Sequence, residues 1–100
     1  MHKHPVWSDH ENRVIVDAYY RLMKAEQAGI KLNKAQLARE TLPLLNGRTK
    51  GSYEAKLMNV SSAMVQIGLP YVTGYVPLGN CQASLVALVR NSFVHGVAQQ

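Results

Sequence analysis

Apolar positions in the first third of the chain recur at helical spacing. Ile15, Ala18, Tyr19 and Leu22 fall on one stripe, with Val14 and Ala25 at its margins. Arg13, Asp17, Arg21 and Lys24 fall elsewhere on the wheel, as solvated positions should. Ser8 and Glu11 make the S-x-x-E pattern of a capping box, in which each side chain satisfies an amide that the helix start leaves unbonded. Asp9 adds negative charge at the end where the helix dipole favours it. Gly29 ends the helix. Trp7, just before the cap, folds back as a core anchor.

A second helix starts from Asn33 as N-cap and runs through "KAQLARET". Pro43 forbids a normal continuation, so the helix ends near Thr41 and "PLL" makes a short turn. Leu37, Ala38, Leu42 and Leu45 are its burying set. "NGR" at 46 to 48 is a tight turn in which Gly47 takes positive φ. The third helix is capped by Thr49 or Ser52. Tyr53, Leu57, Val60, Met64 and Ile67 follow at spacings of 4, 3, 4 and 3, a buried stripe, and Gly68 stops it.

The grammar then changes. "LPYVTGYVPLGN", 69 to 80, mixes prolines, glycines and β-formers and reads as an extended loop lying over the bundle. Asn80 caps a fourth helix, "CQASLVALVRNSFVHG", which is apolar on more than one side at Leu85, Val86, Leu88, Val89, Phe93 and Val94. Such a helix wants cover on both faces. A central place in the bundle would give it, and so would a second copy or a following domain. The expectation is an all-α, four-helix small domain over 7–95, with a flexible basic arm at 1–6 and a tail or linker start at 96–100.

Composition narrows the function classes. One hundred residues suffice for one domain with one core, and 47% apolar against 17% charged residues is the balance of a globular chain. Lys and Arg number 11 against 6 Asp and Glu, a formal charge of +5. That favours a polyanionic partner; the blander reading is solubility. Cys81 stands alone, so no intrachain disulfide forms, which suits a reducing compartment. No stretch approaches the roughly 20 apolar residues of a membrane span, and the first residues carry no apolar run of a signal peptide. A cytoplasmic protein with no membrane partner is expected.

Catalytic chemistry is thinly supplied. His2, His4, His10 and His95 stand at no recognisable spacing to a cysteine or carboxylate, and an incidental role outweighs a metal site. No nucleophile elbow and no phosphate-cradling glycine loop occurs. The expectation is a non-enzyme without cofactor or metal. Nucleic-acid binding is better supplied. Three helices on short turns, with a basic turn before the third, is the helix-turn-helix arrangement. Burying Tyr53, Leu57 and Val60 sends Lys50, Glu54, Lys56 and Asn59 to the flanks. Arg48 in the turn would clamp a phosphate, and Thr49, Lys50 and Ser52 sit at free helix amides that suit phosphate oxygens. Lys56 and Asn59 would reach base edges. Lys34 and Arg39 would add phosphate contacts. The alternatives are a helix-capping role for Arg48, a solvated Lys56, and an Asn59 bonded to the backbone of the 71–80 loop.

Two resemblances follow from particular residues. Trp7, Ser8 and Glu11, then Leu45, Gly47, Arg48 and Thr49 in "L-x-GRT", are similar to the pattern of the Myb/SANT three-helix fold. The further tryptophans of that family are missing, Tyr53 and Leu57 stand as fillers, and the spacer between helices one and two is longer. More closely, residues 7 to 93 resemble the helical domain at the N-termini of bacterial proteins that carry an HNH-type or other restriction-like nuclease domain. "WSDHENRVIVDAYYRLM", "AGIKLNKAQLAR", "LNGRTKGSYEAKLMNVSSAM" and "GLPYVTGYVPLGNCQ" carry it, with Val76 where a lysine is expected. The resemblance implies a DNA-sensing or docking domain of an invader-defence protein, its DNA plain or chemically modified, with a catalytic domain downstream. The competing class is a protein-docking or homodimerisation module using helix four and the Tyr71/Tyr75 loop.

Overall fold

The computed structural model describes residues 6–79 and 81–95. The described residues form helices and loops and no strand: α1 (Asp9–Gln27), α2 (Lys34–Thr41), a 3₁₀ turn (Leu42–Leu44), α3 (Lys50–Gln66), α4 (Ala83–Arg90), and a wider final turn (Asn91–His95). The all-α, four-helix expectation holds. The basic arm, apart from Val6, lies outside the described residues, as do Asn80 and the tail.

Local signals fix most boundaries. Ser8 caps α1 with both halves of the capping box formed: Glu11 N donates to Ser8 Oγ at 3.1 Å, and Ser8 N donates to Glu11 Oε1 at 3.2 Å. Asn33 caps α2, its Oδ1 accepting from Gln36 N at 3.0 Å. Of the two candidates at α3, Thr49 is the cap, accepting from Ser52 N at 3.0 Å. Gly29 and Gly68 close α1 and α3 in the left-handed region, with φ of 70° and 80°. Ile30 N then reaches back to Ala25 O at 2.8 Å, and Leu69 N to Met64 O at 2.9 Å.

Helix four departs from its expected start. Cys81 and Gln82 precede it in non-helical backbone, and Gln82 stands at the cap position without a side-chain capping bond. Its buried residues are Leu85 and Val89, continued by Phe93; Val86 and Leu88 are half-buried, and Val94 is exposed. It therefore covers one face of the bundle rather than burying two of its own.

The core lies where α1, α3 and α4 meet. Ile15, Tyr19, Leu57, Val60, Ala63, Leu85 and Val89 are all closed to solvent. Phe93 packs edge-on to Tyr19 with ring centroids 6.0 Å apart. One hydroxyl joins three segments: Tyr19 Oη shares a hydrogen bond with Ser61 Oγ of α3 at 2.8 Å, and Val72 N donates to it at 2.8 Å. The 69–79 segment thus straps the bundle as expected. Thr73 N donates to Glu26 Oε1 at 3.0 Å, and Leu78 N donates to Met58 O at 3.3 Å. Tyr75 is buried within this strap, so of the two loop tyrosines only Tyr71 is exposed.

Candidate nucleic-acid interface

The turn before α3 holds an ion pair closed to solvent. Arg48 Nε donates to Glu11 Oε2 at 2.9 Å and Arg48 Nη2 donates to Glu11 Oε1 at 2.9 Å, a two-pronged contact. The side chains are only 5% and 3% exposed. Asn46 N also donates to Glu11 Oε2, at 3.0 Å, so the carboxylate fixes the turn's backbone as well as its cation. These donors, Arg48 first, hold the Glu11 carboxyl down at about 2, against the opposing effect of burial. Arg48 also lies against the Trp7 ring, 4.3 Å from its centroid, and Nη2 reaches Val6 O at 3.4 Å. Arg48 is therefore a fastener between the start of α1 and the start of α3, not a phosphate clamp. Nor does it cap α2.

Lys56 is drawn into the same cluster. It is 5% exposed, its Nζ donates to Gln82 Oε1 at 2.8 Å, and it lies 5.1 Å from the Trp7 ring centroid. Burial lowers its pKa. Asn59 is also spoken for: Nδ2 donates to Leu78 O at 2.7 Å, the loop-backbone alternative. The two side chains assigned to base edges are thus committed inside the molecule. The reason is that α3 is covered on several sides, by α1, by α4 and by the 69–79 strap. Met58 is half-buried and Ser61, Ser62, Ala63 and Met64 are buried.

No family model, curated protein or solved structure matches this chain.

Of the remaining candidates, Lys34, Arg39, Thr49 and Lys50 are exposed. Lys50 opens α3 beside the Thr49 cap, whose hydroxyl is committed to Ser52 N; Ser52 itself is half-buried. Arg39 is exposed on α2, one residue before Glu40, which Arg21 Nη1 and Gln36 Nε2 engage at 3.4 and 3.1 Å. Lys34 is exposed at the first position of α2 and holds its ammonium 5.0 Å from the Tyr75 ring centroid. Among the described residues none of Lys34, Arg39 and Lys50 forms an ion pair with a carboxylate. The eight candidates therefore divide. Arg48, Lys56 and Asn59 build the scaffold, Thr49 and Ser52 build a helix end, and Lys34, Arg39 and Lys50 face water.

The contact that sequence reasoning missed is the buried pairing of the capping residue Glu11 with Arg48. A carboxylate has two oxygens and a capping box uses one. That spare acceptor, with an arginine in the next tight turn but one, was the available signal. Among the described residues no group of three His, Cys, Asp or Glu converges as a metal site, and no described helix is long and apolar enough to cross a membrane.

Proposed function

We propose that this domain binds DNA chiefly through its phosphates and acts as the sensing or docking part of a cytoplasmic bacterial defence protein of the restriction type, with catalysis residing in another domain. The observation that carries the reading is the set of exposed cations without carboxylate partners, Lys50, Arg39 and Lys34, on a chain of net charge +5. The family resemblance of residues 7 to 93 supplies the biological setting. With Lys56 and Asn59 committed internally, contacts of the remaining kind carry no sequence information. The proposal is thus of sequence-independent affinity.

Fluorescence anisotropy with two labelled duplexes of unrelated sequence tests it. Lys50→Ala and Arg39→Ala should each weaken both duplexes equally, by about threefold, as one solvated phosphate contact implies. Asn59→Ala should leave the ratio between duplexes unchanged. Absence of duplex binding at low salt, or affinity untouched by both cation substitutions, would remove the surface.

A second reading has its own observation. Tyr71, Val76 and Leu78 are 40%, 64% and 46% exposed on one loop, and apolar exposure of this kind suits a protein partner. Light scattering that finds a tight dimer without duplex affinity would favour it.

A further inference from the structure

A cleft of about 750 Å³ opens between the last turns of α1, the 28–33 connection and the 72–73 strap. That is within the range of roughly 300–1,000 Å³ found for ligand sites. Its floor is aliphatic: Leu22 and Val72 are buried there, and Ala25 and Leu32 are half-buried. Its rim is cationic. Lys31 and Lys34 both line it and both are exposed. Lys34 holds its ammonium 5.0 Å from the Tyr75 ring centroid, a contact that leaves its charge unneutralised. The one acidic lining residue, Glu26, already accepts from Thr73 N at 3.0 Å. The α2 amides of residues 34 and 35 precede the first intrahelical bond, made by Leu37 N to Asn33 O at 3.1 Å, so the positive end of that helix also faces this region.

We propose that this cleft docks an acidic peptide segment of another protein, with one aliphatic side chain seated on Leu22, Leu32 and Val72 and its carboxylates on Lys31 and Lys34. Charge complementarity selects an anion: two exposed cations against one carboxylate that is already hydrogen-bonded. The floor selects the class of anion. It offers no aromatic face on which a nucleic-acid base would stack, whereas an aliphatic side chain loses apolar surface there. The volume exceeds one side chain, so the segment spans two or three residues.

The site shares Lys34 with the proposed DNA surface, so the test separates the two through Ala25 and Lys31, which belong to the cleft alone, and Lys50, which does not line it. The 100-residue chain is titrated with a dye-labelled peptide of alternating aspartate and leucine, with the same peptide carrying asparagine for aspartate, and with a thymidine oligonucleotide. The expected result is saturable binding of the acidic peptide, at least about tenfold weaker with the asparagine peptide. Ala25→Trp, which fills the floor without changing charge, and Lys31→Glu, at an exposed position, each weaken it by about tenfold or more, as loss of one well-made contact implies. Lys50→Ala leaves it unchanged and weakens duplex binding instead. Thermal melts confirm that each variant is folded, and Lys31→Glu answers if Ala25→Trp is not. Equal binding of both peptides, no saturable peptide binding, or peptide binding unaffected by either cleft variant overturns the proposal. So does an oligonucleotide whose binding is lost in Ala25→Trp.

Discussion

At the scale of single residues, the Glu11–Arg48 pair decides what the turn at 46–49 is for. Removing both charges from water is costly, and the pair is tolerable because the carboxylate receives five donors: Ser8 N, Ser8 Oγ, Asn46 N and two from Arg48. Taking away one partner leaves the other charge buried and unmatched. Glu11→Gln should therefore destabilise the fold by about 3–5 kcal/mol, while Glu11→Leu with Arg48→Met together should recover most of the loss. Denaturant midpoints of the three proteins check this. The pH dependence has a definite sign. The folded-state pKa of Glu11 is about 2, below its ordinary 4.5, so its stabilisation is fully present above about 4.5 and is lost as pH falls towards 2. In Glu11→Gln the slope of stability against pH should flatten across that window. An unchanged slope would mean that another carboxylate carries the acid sensitivity.

At the scale of elements, the 69–79 strap is held at two separable points. Val72 N bonds to the Tyr19 hydroxyl, and Leu78 is held by Met58 O and by the Asn59 amide. Asn59→Ala should speed exchange of the Leu78 amide by about fivefold, the worth of one hydrogen bond of ~1 kcal/mol, and leave the Val72 amide protected. Tyr19→Phe should do the converse. Site-resolved hydrogen exchange reads both, and parallel acceleration of the two amides in either variant would show that the strap opens as one unit. The same contrast between local and distant bonds explains what could be read from the chain beforehand. The stripes of α1 and α3, the Ser8 and Asn33 caps and the glycine stops depend on neighbours within one or two turns, and all were legible. Arg48 finds its partner 37 residues away and Lys56 finds its own 26 residues away. Nothing in their local spacing separates a buried cation from a solvated one. The start of α4 was misplaced for a related reason. The side chains of Gln82 and Cys81 are engaged by those of Lys56 and Gln66 of α3, at 2.8 and 3.5 Å, and both residues precede the helix. A cap rule applied to Asn80 contains no term for that.

At the scale of the whole molecule, net charge and contact count are different quantities. The chain carries +5, but Arg48 is cancelled by Glu11 and Lys56 is buried. Long-range attraction to a polyanion follows the total, whereas counterion release follows only the cations that reach phosphates. If Lys34, Arg39 and Lys50 are the contacts, duplex affinity should fall with salt at a log–log slope of about −2.7, at about 0.9 per phosphate. Were Arg48 and Lys56 contacts too, the slope would be about −4.5. Binding isotherms across a salt series distinguish the two. Lys50→Ala should reduce the steepness by about 1, and the charge-neutral Ala25→Trp should not alter it. The paired replacement of Glu11 and Arg48 by Leu and Met should also leave it unchanged, since a cation already matched inside the protein releases no counterion from DNA. A slope that drops when the internal pair is removed would return Arg48 to the binding surface and show that the pair opens on contact with the duplex.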